Sequence, residues 1–196
     1  MILFALPLLL LLGLFLLLVV FVLMVELRVL SYAYRKIGVP PRYMFAVLVL
    51  SLVGAHVNLP LYSARGTVVA INVGGALVPI LLSLYLFVRT GLYGRMLIGT
   101  AIVAVIVHGL ARIVPGAGIA VPMLIPPLAA AGVGLLLSFR RAPPVAYVAG
   151  SMGTLIGADL LNLQRVTELG APVASIGGAG TFDGVFLTGI IAGLLA

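Results

Sequence analysis

Apolar residues fill this chain in blocks of about 20, broken by short polar punctuation, and a helix of that length at 1.5 Å per residue matches the ~30 Å hydrocarbon core of a bilayer. Reading from one polar break to the next predicts spans near residues 2–25, 43–62, 67–88, 96–113, 118–139, 144–163 and 171–196. The expected fold class is therefore an all-α integral membrane protein, a single polytopic transmembrane domain over residues 1–196 with about seven helices. Two stretches interrupt the pattern. Residues 115–127, PGAGIAVPMLIPP, carry four prolines and two glycines, and each proline removes a helix donor, so a broken or re-entrant segment is expected there. Residues 170–184, GAPVASIGGAGTFDG, are rich in glycine and suit a loop that dips into the protein before a last helix from about Phe182.

Composition sharpens this reading. With 64% hydrophobic and 8% charged residues and a mean hydropathy of +1.38, the chain lies far from the roughly 25% charged content of soluble domains. No Cys or Trp is present, which removes disulfides, thiolate catalysis and thiolate metal sites. The first apolar run, Met1 to Val25, has no preceding Lys or Arg and exceeds the ~7–15 residues of a signal-peptide core, so it reads as a permanent span. The net charge of +7 comes from basic residues scattered over short loops, which speaks for membrane topology and against nucleic acid as a partner. If the seven spans alternate, one set of loops holds Arg28, Arg35, Lys36, Arg42, Arg89, Arg95, Arg140 and Arg141, and the other Arg65, Arg112 and Arg165. That bias predicts an outside N-terminus and a cytoplasmic C-terminus.

The topology assigns each polar residue a depth. His56 and Asn58 fall near the outer end of the second span, Asn72 early in the third, His108 near the outer end of the fourth, and Asp159 and Asn162 toward the outer end of the sixth. Asp183 enters the seventh from the same side. An isolated Asn or His in a membrane helix often serves only as an interhelical hydrogen-bonding residue. A carboxyl group is different, because a charge at the bilayer centre costs about 2.5–3.5 kcal/mol on insertion scales and is normally functional. The expectation is an outward-facing polar chamber centred on Asp159 and Asp183, with Asn72, Asn162, Gly178, Gly180 and Thr181 contacting a substrate.

Three chemistries fit such a chamber, with aspartyl-type hydrolysis the leading expectation, a carrier the main alternative, and a metal site or a purely structural membrane protein the further ones. Two carboxyls within hydrogen-bonding range share a proton, one acting as base on a water and the other as acid on a carbonyl, which makes Asp159 and Asp183 a catalytic pair. His56, His108, Asp159 and Asp183 together would make a two-imidazole, two-carboxylate set for a divalent metal; no other cofactor is implied. Glycine-rich broken helices with ionisable groups are also the material of proton- or ion-coupled carriers of small solutes. Ser151 is discounted as a nucleophile, since it lies about two turns from Asp159 with no histidine at its depth. The partners expected are the lipid bilayer and a membrane-embedded peptide or a small solute.

The runs Gly157-Ala158-Asp159 and Gly180-Thr181-Phe182-Asp183 resemble the aspartate-bearing helices of intramembrane aspartyl proteases of the presenilin, signal-peptide-peptidase and prepilin-peptidase type. The resemblance covers the last two spans and implies aspartyl-type hydrolysis of a peptide bond. It departs from the family's Gly-x-Gly-Asp motif at Phe182, and no tyrosine precedes Asp159. Over nearly its whole length the chain also resembles a family of uncharacterised prokaryotic multi-pass membrane proteins, a domain of unknown function whose members end in runs like GTLIGADLLNL and LGAPVASIGGAGTFDGVFLTGI. That resemblance implies a prokaryotic inner or plasma membrane and no particular activity.

Overall fold

A computed structural model of the protein describes residues 2–64, 66–114, 118–169, 171–178 and 184–196, with side-chain surroundings given for 12–63, 66–114, 118–165, 171–178 and 184–196. Seven α-helices occur among the described residues: α1 (Ile2–Ile37), α2 (Pro41–Gly54), α3 (Val78–Thr90), α4 (Tyr93–Leu110), α5 (Ile125–Leu137), α6 (Ala142–Thr154) and α7 (Gly184–Leu195). The stretches Leu12–Ile37, Val73–Thr90, Tyr93–Leu110 and Phe139–Arg165 are long and apolar enough to cross a membrane, and α2, α5 and α7 are shorter apolar helices. The chain divides into two compact units, Met1–Tyr32 and Ala33–Ala196. The first is the greater part of α1, whose described side chains are nearly all exposed. The second contains everything discussed below.

The helical expectation acquires five short strands: β1 (Asn58–Ala64), β2 (Thr67–Asn72), β3 (Arg112–Val114), β4 (Gly118–Ala120) and β5 (Val173–Ile176). β1 and β2 form an antiparallel hairpin, with Asn58 opposite Asn72, and β5 adds to β2 in parallel, with Ile71 opposite Ile176. Residues 58–72 lie inside apolar runs, so hydropathy alone merged them with the neighbouring spans. Their β-branched and aromatic side chains favour the pleated form. Pro60 is tolerated because β1 is the edge strand and the register shifts between Pro60 and Tyr62, where a missing N–H breaks no ladder bond. The interruption expected over 115–127 is the second hairpin, β3 with β4, followed by α5; residues 115–117 lie outside the described residues. Pro126 and Pro127 sit in the first turn of α5, where helix N–H groups have no intrahelical partner to lose.

α6 is the hub of the second unit, packed on by α4, α5 and α7, and its small residues set the spacing. A side chain built on Gly153 would meet Val103 of α4, on Gly150 would meet Ala130 of α5 and Thr188 of α7, and Ala146 itself occupies the notch left by Gly134 of α5. Small residues at such crossings let backbones approach closely, the usual source of packing energy between helices in lipid. The large apolar side chains point the other way: Leu136, Phe139, Val105 and Leu97 are exposed. An alanine-rich interior with a leucine and valine exterior is what a bundle solvated by hydrocarbon requires.

The two ends of the bundle differ in kind. At one end the turns are tight and basic. α3 stops at Gly91, whose left-handed φ of 67° ends the helix, and Arg89 reaches across to the carbonyl of Gly38 at 2.8 Å. Arg95 donates to Ser138 Oγ at 3.0 Å, and Lys36 donates to the carbonyl of Leu194 at 2.7 Å. The opposite ends of α2, α3, α4, α5 and α6 run into the strands.

Candidate functional site

At the strand end two helices change their winding. α3 is preceded by a π-helical turn, Val73–Leu77, and α6 continues into another, Leu155–Asp159, before a 3-10 stretch, Leu160–Leu169. A π turn widens the helix and misaligns its carbonyls, and such turns recur at functional sites. Both turns are held by amides. Asn72 caps the first: its Oδ1 accepts from Gly75 N–H at 2.7 Å, while its Nδ2 donates to the Ala55 carbonyl at 2.8 Å and to Asn58 Oδ1 at 3.0 Å. Asn162 holds the second, its Nδ2 donating to the carbonyls of Ala158 at 2.9 Å and Gly157 at 3.2 Å. His108 Nδ1 lies 3.3 Å from the same Gly157 carbonyl, so the tautomer protonated on Nδ1 donates to it.

Asp159 closes the second π turn. Its Oδ2 accepts from the backbone N–H of Gly177 at 2.8 Å, a bond between α6 and the turn that ends β5. Gly177 is suited to this place by a φ of 66° and by backbone contact with Ala76, against which any Cβ would collide. Two residues earlier, Ser175 donates to Asn58 Oδ1, which joins this turn to the Asn72 network. Hydrogen bonds joined by short stretches of backbone thus run from His108 and Asn162, through the π turn and Asp159, to Gly177, Ser175, Asn58 and Asn72. The apolar packing of Val69, Ala76, Leu155, Ile176 and Val185 underlies it.

Beside the carboxyl group opens a cleft of about 520 Å³. Its polar wall includes Asp159, Thr154, Ser175 and Thr188, and its apolar wall includes Val69, Ile119, Ile176 and Val185. Gly178 and Gly184 also line it. The volume lies within the ~300–1,000 Å³ of small-molecule sites.

The residues expected to form one chamber are placed as follows. Asn58, Asn72, His108, Asp159 and Asn162 meet in the network at the strand end. Gly178 is on the cleft wall. His56 stands apart in the turn after α2, with Nδ1 3.2 Å from the carbonyl of Leu52. Asp183, Gly180 and Thr181 lie outside the described residues. No group of three or more His, Asp or Glu side chains placed to hold a metal occurs among the described residues.

On α6 the sequence singles out Ser151 alone, as a discounted nucleophile, and not its neighbours. Tyr34, Ser51, Ser83, Tyr147, Ser151 and Thr154 carry buried hydroxyls with no hydrogen-bond partner among the described residues. Tyr147, Ser151 and Thr154 are spaced four and three residues apart, which puts all three on one face of α6, the face that ends at the cleft. The 4–3 spacing was the available signal, hidden by the weak polarity of single hydroxyls in an apolar run.

No curated protein and no solved structure matches this chain. Residues 22–195 match the model of a family described as protein of unknown function (DUF1614), and the chain belongs to that family.

Proposed function

We propose that this protein is a seven-span carrier of a small solute in a prokaryotic plasma membrane, with its proton or cation site built on Asp159 and Asp183. The observation that carries the reading is the position of Asp159: a carboxyl group on the wall of a solute-sized cleft, where one helix unwinds through a π turn and is tied to the glycine turn after β5. Unwound helix at an ionisable group is the arrangement by which carriers expose main-chain groups to a substrate while keeping the rest of the helix intact. The cleft opens among the strands and the basic turns gather at the opposite end, which, with the charge rule, supports reading the cleft as outside and the basic turns as cytoplasmic.

On this reading Asn72 and Asn162 position the site. Asn72 is spent on Gly75 N–H of the first π turn, the Ala55 carbonyl and Asn58 Oδ1, and the Nδ2 of Asn162 on carbonyls of the second π turn, so the contacts left for a solute come from Asp159, Thr154, Ser175 and Gly178. The test is chemical labelling. A hydrophobic carbodiimide, which reacts with protonated carboxyl groups in apolar surroundings, should modify Asp159 in the purified, lipid-reconstituted protein, with the adduct located by peptide mass spectrometry. Failure of Asp159 to react while Glu26 does would sink the proposal.

Aspartyl-type hydrolysis is the second reading, favoured by one observation: Gly184, which follows Asp183 in the sequence, lines the same cleft as Asp159. Co-expression with a single-span substrate tests it. Loss of cleavage in both Asp159→Asn and Asp183→Asn is expected for a shared-proton pair, and cleavage persisting in either variant rejects the pair.

A further inference from the structure

We infer that the buried hydroxyls of α6 form a proton-conducting file leading from the Asp159 cleft into the centre of the bundle. The inference rests on the carrier reading of that cleft and adds the route by which a proton leaves it.

Thr154 is the entry. It lines the cleft together with Asp159, and its hydroxyl is buried and unpartnered. Ser151 and Tyr147 follow on the same face of α6, both with no exposed surface. Tyr34, near the end of α1, and Ser51, on α2, are further buried residues whose hydroxyls have no partner among the described residues. None of these hydroxyls has a hydrogen-bond partner among the described residues, so each keeps its donor and acceptor capacity. α7 presents Gly189 to this file, and any side chain there would strike Ser151 Oγ and the ring of Tyr147. A helix that packs bare backbone against three hydroxyls leaves them their space.

The energetics argue for use. A buried polar group left without a partner costs roughly 1–3 kcal/mol, and this chain keeps several of them side by side where alanine or phenylalanine would fit. Successive side chains on one helix face stand about 5–6 Å apart, which is the span that one bridging water closes. In such a file each hydroxyl accepts a proton from one side as it releases its own to the other, so no net charge rests on any member. Twelve residues separate Tyr147 from Asp159, about 18 Å of rise, which is more than half of a ~30 Å hydrocarbon core.

The full-length protein should be reconstituted into liposomes loaded with a pH-sensitive dye, and proton entry followed under an inside-negative potassium diffusion potential. Wild type should acidify the lumen above protein-free vesicles. Tyr147→Phe and Ser151→Ala, which delete a hydroxyl and little else, should each slow entry by about tenfold or more, in the range seen when a proton-transfer group is lost. Thr90→Ala, at the basic end, should match wild type, and all four proteins should elute alike on gel filtration. Equal rates in wild type and both file variants, or no wild-type flux above empty vesicles, would overturn the file. Carbodiimide labelling of Asp159 is independent of these rates, so a failed file with a reactive Asp159 leaves the carrier site standing.

Discussion

Replacing Gly157 by leucine is expected to leave little folded protein, and replacing it by alanine to lower the thermal midpoint measurably. A Cβ on Gly157 would stand 2.5 Å from the carbonyl oxygen of Ala104, 3.0 Å from Val107 Cβ and 3.1 Å from the backbone N of His108. Two of these three are main-chain atoms in the middle of α4, which cannot rotate away as a side-chain tip can, so α4 and α6 must separate. Overpacking of this kind costs about 1–3 kcal/mol when neighbours can yield, and more when they cannot. The substitution also displaces the Gly157 carbonyl that Asn162 and His108 hold, so the π turn and Asp159 move with it. In a chain of this size each kcal/mol corresponds to roughly 2–4 °C, so Gly157→Ala should fall by several degrees in a detergent melting assay. Gly94→Ala and Gly132→Ala, where nothing lies within 4 Å of the added carbon, should melt within about 1 °C of wild type or slightly above it. A Gly157→Ala protein as stable as those controls would show that the α4–α6 contact is looser than its backbone spacing indicates.

That contact also shows what could be read from the amino-acid string. The apolar blocks, their basic punctuation and the gathering of Asn58, Asn72, His108, Asp159 and Asn162 at one end followed from hydropathy and charge, because lipid penalises polar groups strongly enough to leave a pattern. The strands did not follow. β2 reads TVVAIN and β5 reads VASI, and short apolar segments of this kind are as apolar as helix, so only their pairing distinguishes them. The π turns were equally hidden, since a one-residue widening of the winding leaves composition unchanged. Asn72 and Asn162 look like ligand-binding residues in a sequence for the same reason that they work as caps: each brings a donor and an acceptor to a place where helical carbonyls and N–H groups have lost their partners. Ser151 was weighed only as a nucleophile, and its alignment with Tyr147 and Thr154 on one face of α6 escaped notice because a single hydroxyl barely shifts local hydropathy.

Asn72 is where the second large effect is expected. The side chain is buried, with 1% of its surface exposed, and makes three hydrogen bonds that tie the end of β2 to the end of α2, to β1 and to the π turn before α3. Asn72→Leu keeps the branching at Cγ and removes all three, leaving the Ala55 carbonyl, the Gly75 N–H and Asn58 Oδ1 without that partner. At about 1–3 kcal/mol for the buried Gly75 N–H, and less for the half-buried Ala55 carbonyl and the exposed Asn58, the loss should reach a few kcal/mol. Asn72→Asp discriminates between the bonds. It retains an acceptor for Gly75 N–H but turns an oxygen toward the Ala55 carbonyl and Asn58 Oδ1, so it should be nearly as damaging as leucine if the two donated bonds matter most. A double-mutant cycle with Asn58→Ala isolates the 3.0 Å amide pair, and a coupling indistinguishable from zero would assign Asn72 to the backbone alone. Because Ser175 also donates to Asn58, the damage should travel to the β5 turn, where Gly177 holds Asp159. Carbodiimide reactivity of Asp159 should therefore change in Asn72→Leu at temperatures where the protein is still folded. Melting that drops while Asp159 reactivity stays at the wild-type level would separate the cap from the cleft and leave Asn72 a purely structural residue.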